Sequence, residues 1–211
     1  MSDEIKRIVG AGYDQVAEEY GRLESELEWP RMRWLCKRLD QLKAGSSVLD
    51  LGCGSGDPAD IEIAKKHKIT GVDFSENQID LARQNVPARV FLCGDAGSME
   101  FPRSSFDAAV SFYTLEHVPR KEHETVLERI HRWLKPEGLF LISIEAGDFD
   151  DITGDGLGVP MFISCFEPDV TRQLVIETGL EILETAIENQ IERDHEVPYL
   201  WILARKRSEV E

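Results

Sequence analysis

The stretch that decides the fold is Val48-Leu49-Asp50-Leu51-Gly52-Cys53-Gly54-Ser55-Gly56, an apolar run that ends in close-set glycines. Two further apolar runs end in similar turns, at Gly71-Val72-Asp73 and at Gly94-Asp95-Ala96. These intervals fit strand-helix-strand units of an open parallel sheet, which gathers polar groups at the carboxyl ends of its strands and binds ligands there. The pattern therefore predicts an α/β domain with a nucleoside site.

The glycine spacing indicates which nucleosides are disfavoured. The dinucleotide pattern G-x-G-x-x-G, started at Gly52, would need a glycine where Asp57 stands, so a pyrophosphate site is not expected. Asp73 ends the second apolar run, and its two carboxylate oxygens are expected to accept from both hydroxyls of a ribose. Ser75 and Gln78 form a capping-box pattern for the next helix, so Asp73 is not needed as the cap.

Five motifs in this order resemble those of class I S-adenosylmethionine-dependent methyltransferases, the broad group that includes ubiquinone and menaquinone biosynthesis methyltransferases and many small-molecule enzymes. They are the glycine loop, the acid Asp73, the segment Cys93–Ala96, the strand Phe106–Ser111 and the turn and strand Leu134–Ile142. The resemblance covers roughly residues 10 to 145. It implies a Rossmann-like, seven-stranded, mostly parallel sheet with an antiparallel C-terminal hairpin and helices on both faces.

The resemblance also implies S-adenosyl-L-methionine as the cofactor and S-adenosyl-L-homocysteine as its product. Asp50 would orient the ammonium group, Asp73 would hold the ribose, and Asp95 would accept from the adenine amine. Cys53 is expected to pack rather than to act as a nucleophile. The expected cofactor-binding residues of the core are Asp50, Gly52, Cys53, Gly54, Gly56, Asp73, Phe74, Asp95, Ala96, Ser111 and Phe112.

The segment Gly12–Tyr20 resembles the N-terminal Tyr-Asp-x-x-Ala-x-x-Tyr stretch of the same group, which folds over the bound cofactor. Tyr13 and Tyr20 would then place their hydroxyls near the methionine carboxylate. The alternative is an amphipathic helix whose tyrosines are anchored in the core. We expect residues 1–43 to form a helical lid and residues 44–211 the core, with a flap at about 146–168.

Candidates for chemistry on the methyl acceptor follow the fourth strand. His117 is a candidate base because its ordinary pKa is near neutrality, although the Leu-Glu-His-Val stretch of the resembling family suggests a structural or cofactor-shielding histidine. Tyr113 would hydrogen-bond the acceptor or form part of the pocket wall. Glu145, at the end of the fifth strand, is a second candidate base. A base is optional, because in-line methyl transfer depends mainly on positioning.

The C-terminal third departs from simple periodicity. The Gly- and Asp-rich stretch Ala146–Pro160 predicts a mobile flap, and Met161–Phe166 forms an apolar cluster after it. Glu181–Ile191 and Tyr199–Arg205 predict two strands, with His195 in a solvated turn between them.

Composition predicts one α/β domain in the cytoplasm, with no membrane span and no secretion signal. The 211 residues carry 40 acidic and 24 basic side chains, a formal charge of -16, which disfavours nucleic acid as a partner. The four cysteines lack C-x-x-C or Cys/His spacing, so we expect no metal and free, mostly buried thiols.

The predicted function is methyl transfer to O, N, S or C of a small, aromatic or partly apolar molecule, by a monomer or a homodimer. Two alternatives stay open: a tRNA-modifying methyltransferase, and a cofactor-binding module without catalysis.

Overall fold

The computed structural model describes residues 3–26, 30–156, 158–192 and 195–208. The helices are α1 (Asp3–Glu26), α2 (Pro30–Leu39), α3 (Ala59–Ala64), α4 (Glu76–Asn85), α5 (His123–Trp133) and α6 (Pro168–Glu177), with 3-10 turns at Leu115–His117 and Arg120–Glu122. The strands are β1 (Ser47–Leu51), β2 (Lys68–Asp73), β3 (Val90–Cys93), β4 (Phe106–Phe112), β5 (Leu134–Glu145), β6 (Phe149–Gly156), β7 (Val159–Cys165), β8 (Leu180–Glu192) and β9 (His195–Lys206).

The main sheet has seven strands in the order β3-β2-β1-β4-β5-β9-β8. Strands β1 to β5 run parallel, while β9 is antiparallel to β5 and β8 is antiparallel to β9. The predicted fold class, including the antiparallel C-terminal hairpin, is confirmed. The strand order reverses between β1 and β4, and in open α/β sheets a ligand crevice forms at that point.

Alternating side chains of the strands build two cores, one on each face of the sheet. Leu49 of β1 packs with Trp133 of α5 and Val175 of α6 in one cluster. Its neighbour Val48 packs on the opposite face, in the cluster that contains Leu35 of α2. Because both faces are covered by helices, the parallel strands are apolar throughout, as the sequence of β1 predicted.

The segment predicted as a flap, at about 146–168, contains two strands that the sequence analysis did not predict. Residues 149–165 form a second, two-stranded antiparallel sheet, in which β6 pairs with β7 from Phe149↔Cys165 to Gly156↔Val159. Arg120 fixes this hairpin to the core, because its guanidinium bonds Asp148 and Asp150 at 2.6 and 2.7 Å. Residues 150–155 of β6 are exposed, so this strand does not show the apolar alternation of a half-buried strand.

Two further expectations need correction. His195 begins β9 rather than lying in the turn, and its side chain lies outside the described part of the structure. The thiols are divided evenly: Cys53 and Cys165 are buried, whereas Cys36 and Cys93 are exposed.

Candidate active site

A cavity lies at the carboxyl ends of β1 to β4, beneath α1 and beside the turn Leu115–His117. Most of the predicted site residues line it. They are Tyr13, Gly52, Gly54, Asp73, Phe74, Asp95, Ala96, Phe112, Tyr113 and His117. The structure therefore brings the glycine loop, two of the three predicted acids, the N-terminal segment and the segment after β4 together at one place.

The glycine loop is held by its backbone. The amides of Gly52 and Cys53 both donate to the carbonyl of Val72, at 2.7 and 3.1 Å. Gly52 has a φ of +78°, and a Cβ there would lie 1.9 Å from Oγ1 of Thr114. A side chain at this position is therefore excluded both by conformation and by the close approach of the segment after β4.

Asp73 organises the turn between β2 and α4. One carboxylate oxygen accepts from the amide of Gly54 and the other from the amide of Ser75, both at 2.9 Å. Burial raises the pKa of Asp73, and the charge of Asp14 acts in the same direction, while its backbone hydrogen bonds lower it. Each carboxylate oxygen has a further acceptor site, so the carboxylate can bind a ligand while it holds the loop.

The capping-box prediction is half confirmed. Ser75 Oγ accepts from the amide of Gln78 at 3.0 Å, as an N-cap does. However, the amide of Ser75 donates to Asp73, so the side chain of Gln78 does not return to it as the capping box requires. Asp73 therefore accepts the hydrogen bond from the Ser75 amide at the start of α4, a role that the capping-box pattern had predicted for the Gln78 side chain.

Gln78 is one of the lining residues that the sequence analysis did not assign to the site. Its side chain is 1% exposed, lines the cavity, and has no hydrogen-bond partner for Oε1 or Nε2 among the described residues. A buried primary amide without a partner is costly, so this group is poised for a ligand that both donates and accepts. The capping pattern concealed it by offering a structural explanation for the glutamine.

Asp95 and two aromatic rings form the rest of the wall. Asp95 Oδ1 accepts from the amide of Gly97 at 2.8 Å, which fixes the carboxylate in the turn after β3. Phe74 and Phe112 line the cavity on its apolar side. A Cβ at Gly10 of α1 would lie 2.8 Å from the Phe74 ring, so the glycine lets the helix pass directly over this residue.

Helix α1 is attached to the core by adjacent residues of the Tyr-Asp motif. The Asp14 carboxylate accepts from Ser75 Oγ and from the amide of Asn77, at the start of α4. The hydroxyl of Tyr13 bonds Nε2 of His117 at 2.8 Å. The side chain of Tyr20, predicted to act beside Tyr13, lies outside the described residues.

Several predicted site residues do not line the cavity. Asp50, Gly56 and Ser111 are not among its lining residues, and Asp50 and Ser111 are buried in their strands. Cys53 packs with the apolar residues of α4, and burial raises the pKa of its thiol well above the usual range, which suits packing rather than nucleophilic attack. Glu145 acts electrostatically on Cys165, whose thiol pKa is raised to about 12 by burial first and then by Glu116 and Glu145.

Tyr113 is placed as a wall residue. Its hydroxyl donates to Oε1 of Gln190 at 2.8 Å, and its ring stacks edge-on against Tyr199 and Trp201 of β9. This geometry favours the wall over the acceptor-binding alternative.

The charge of the cavity suits a cationic nucleoside. Of the described residues that line it, Asp73 and Asp95 are acidic and none is Lys or Arg. A sulfonium nucleoside such as S-adenosylmethionine has a net positive charge, ribose hydroxyls that both donate and accept, and an apolar adenine face. The two acids, the unpaired Gln78 amide and the Phe74 and Phe112 rings therefore fit it.

Two absences bear on other kinds of site. Across the described ranges no group of three or more His, Cys, Asp or Glu side chains is arranged to hold a metal ion. In the same ranges no helix has the length and apolar character needed to span a membrane.

Comparison with known proteins agrees with the geometry. A methyltransferase domain model matches residues 48–138. The demethylmenaquinone methyltransferase of Geobacillus stearothermophilus is 31% identical over 140 residues, which cover 60% of this chain and 58% of that protein.

Two solved structures share the fold. The DhpI-SAH complex has a TM-score of 0.77 at 17% identity and covers 99% of this chain and 100% of its own. The second is Burkholderia thailandensis 1,6-didemethyltoxoflavin-N1-methyltransferase, bound to 1,6-didemethyltoxoflavin and S-adenosylhomocysteine. It has a TM-score of 0.70 at 21% identity, and the match covers 94% of this chain and 85% of that chain.

Its fold and the methyltransferase domain model over residues 48–138 make this chain similar to the class I S-adenosylmethionine-dependent methyltransferases. Over 60 to 65% of its length it is similar to demethylmenaquinone methyltransferases. The chain matches 54 to 62% of the length of these relatives.

Proposed function

We propose that this protein transfers a methyl group from S-adenosylmethionine to a small, flat or partly apolar molecule. The observation that carries the proposal is the convergence of Asp73, Asp95 and the unpaired Gln78 amide on one cavity without Lys or Arg among its described lining residues. We keep the sequence predictions of a cytoplasmic monomer or homodimer as part of the proposal.

The protein's contribution is binding and orientation. Asp73 and Gln78 hold the ribose, Asp95 and Ala96 the adenine, and the backbone of Gly52 and Gly54 passes beside the methionine part. When bound, S-adenosylmethionine supplies a methyl group on cationic sulfur, and the carbon–sulfur electron pair stays on sulfur as the acceptor's lone pair bonds to carbon. Holding the acceptor in line with that bond can lower the barrier by up to about 7 to 11 kcal/mol.

The apolar part of the site supports a small-molecule acceptor. Phe112 lines the cavity, and Met161 and Phe162 of the hairpin are buried close to α1 and the turn that carries His117. The names of the relatives point the same way, since they include demethylmenaquinone and 1,6-didemethyltoxoflavin as acceptors, both flat ring systems. No lining residue among those described offers the basic contact that a tRNA phosphate would need.

Titration calorimetry with S-adenosylmethionine and S-adenosylhomocysteine tests the cofactor first. We expect the natural protein to bind both, and Asp73→Asn to bind about 10- to 150-fold more weakly, because a charge-assisted hydrogen bond is worth about 1.5 to 3 kcal/mol. Asp80→Asn is the matched control, since Asp80 is an exposed acid of α4 that pairs with Arg83. Its affinity should stay within about two-fold of the natural protein.

A methyl-transfer screen against phenols, quinols, N-heterocycles and thiols then tests the acceptor. Turnover that is present in the natural protein and in Asp80→Asn, but lower in Asp73→Asn at limiting S-adenosylmethionine, supports the proposal. Absence of binding to either sulfur nucleoside, together with tight binding of a nicotinamide or flavin nucleotide, would overturn it.

A further inference from the structure

Three residues from distant parts of the chain form a hydrogen-bonded row beside the cavity. The hydroxyl of Tyr13 lies 2.8 Å from Nε2 of His117, and Nδ1 of His117 lies 2.7 Å from the carbonyl oxygen of Phe162. They belong to α1, to the turn after β4 and to β7 of the hairpin. Tyr13 and His117 both line the cavity.

The row has one consistent arrangement of hydrogens. A backbone carbonyl can only accept, so Nδ1 of His117 carries the proton and donates to Phe162. In a neutral imidazole Nε2 is then the acceptor, and the Tyr13 hydroxyl is its donor. Burial lowers the pKa of His117, partly offset by the Phe162 hydrogen bond, so the ring is neutral at physiological pH.

Among the residues that the structure describes, no charged group is a cause of this lowered pKa. The lowered pKa of His117 has burial as its leading cause, and the Phe162 carbonyl is the partner that opposes it. The groups that face the ring are the phenol of Tyr13 on α1 and the carbonyl on β7, while Asp73 and Asp95 are the charged residues among the described cavity lining. Glu116, next to His117 in the chain, is buried and acts on Cys165.

We propose that Tyr13 and His117 are the proton-accepting pair of the methyl transfer, and that the acceptor is therefore an uncharged molecule with an O–H or N–H nucleophile. This inference rests on the proposed function. Tyr13 touches the acceptor, and His117 acts through it. The role assigned to the Tyr13 hydroxyl differs from the sequence expectation, in which it bound the cofactor carboxylate.

The proton steps balance. As the acceptor's O–H or N–H bond breaks, its electron pair stays on the acceptor atom and its proton passes to the Tyr13 oxygen. The original Tyr13 proton passes to Nε2 of His117, so the phenol is restored and the imidazole becomes an imidazolium. The Phe162 carbonyl stabilises that cation through Nδ1–H, and the proton is then released to solvent.

The charge of the site narrows the acceptor class further. A carboxylate or phosphate acceptor would meet Asp73 and Asp95 with no Lys or Arg among the described lining residues. A thiol ionises readily by itself and would need the pair least. Phenols, neutral amines and N–H heterocycles are the classes that the pair serves.

The first test needs no acceptor. Nitrogen-15 NMR of histidine-labelled protein should show one histidine as the neutral Nδ1–H form, assigned by its loss in His117→Asn. Its Nε2 resonance should move in Tyr13→Phe, because the phenol hydrogen bond is removed. An Nε2–H form, or an unchanged resonance in Tyr13→Phe, would contradict the proposal.

The second test separates this pair from the cofactor site. With a phenol or N-heterocycle that the screen identifies, Tyr13→Phe should lower kcat by about 10²- to 10⁴-fold while the Kd of S-adenosylmethionine by calorimetry stays within about two-fold. His117→Asn should lower kcat similarly and abolish the acid limb of the pH–rate profile. A weakened cofactor Kd with kcat intact in Tyr13→Phe would overturn the inference and leave the proposed function standing, whereas loss of cofactor binding in the natural protein would defeat the proposed function itself.

Discussion

At the scale of single residues, Gln78 shows how a buried polar group can mark a binding site. Its backbone amide donates to Oγ of Ser75, the N-cap of α4, yet its side-chain amide is buried at 1% exposure and unpaired among the described residues. In the ligand-free protein such a group costs about 1 to 3 kcal/mol. The cost is understandable if a bound ligand supplies the missing partners.

Gln78→Met should therefore change stability and binding in opposite directions. Met has a similar volume without the amide, so the free energy of unfolding, measured with urea, should stay the same or rise. The Kd of S-adenosylmethionine should rise about 2- to 12-fold, because a neutral hydrogen bond contributes about 0.5 to 1.5 kcal/mol.

The matched control is Gln84→Met, on an exposed position of the same helix, which should alter neither quantity beyond about 0.5 kcal/mol. An unchanged Kd in Gln78→Met would show that the buried amide does not contact the nucleoside.

At the scale of elements, α1 and the hairpin form the cover of the cavity, and glycines set their spacing. A Cβ at Gly12 would lie 3.0 Å from Cε of Met161 and 3.1 Å from the carbonyl oxygen of Pro160. Gly is a poor helix former, so its presence within α1 is explained by this contact rather than by helix propensity.

Gly12→Val should loosen the cover although it raises intrinsic helix propensity. We expect overpacking to cost about 1 to 3 kcal/mol, with faster amide hydrogen exchange in α1 and β7 and weaker cofactor binding. Ala11→Val introduces the same side chain at the exposed neighbouring position and should leave exchange in β7 unchanged. Equal exchange in the two variants would refute the packing argument.

At the scale of the whole molecule, buried histidines set the pH dependence of stability. Burial is the leading cause of a lowered pKa at His67, His117 and His123. The unfolded chain, with ordinary values near 6.5, takes up protons that the folded protein does not as the pH falls below that value. The free energy of unfolding should therefore be greatest near neutral pH and fall as the pH drops through about 6.5.

Urea unfolding at pH 7.5 and 5.5 measures this effect, and His123→Gln tests one contributor. His123 is 1% exposed, and its Nε2 lies 2.9 Å from the carbonyl of Val118, to which the glutamine amide can also donate. The variant should lose less stability between the two pH values, by up to about 1 kcal/mol. Weaker repulsion among the acidic side chains at low pH acts on both proteins, so an identical pH dependence would contradict the assignment.

The formal charge of -16 also makes a prediction for the whole surface. Filter binding of total tRNA should be weak at about 50 mM salt, because non-specific affinity for nucleic acid comes mainly from basic contacts with phosphates. Tight binding that weakens steeply with salt would revive the tRNA-modifying alternative.

The sequence by itself determined the sheet, the glycine loop and the acids Asp73 and Asp95, because each depends on residues close together along the chain. Apolar strand runs, turn residues and the intervals between them can be recognised from neighbouring residues. A doubly wound sheet then brings the carboxyl ends of its strands together, independently of the side chains outside the strands.

Only the tertiary structure decided the contacts that cross the chain. Tyr13 and His117 are 104 residues apart, and no spacing rule pairs them. The β6–β7 hairpin is attached to the core by buried β7 side chains such as Met161 and Phe162 and by the ion pairs of Arg120 with Asp148 and Asp150. The Gln78 side chain lacks a partner because the backbone amide of Ser75 donates to Asp73 instead of to Gln78. The folded turn decides between these two acceptors, because it places the Asp73 carboxylate beside the Ser75 amide.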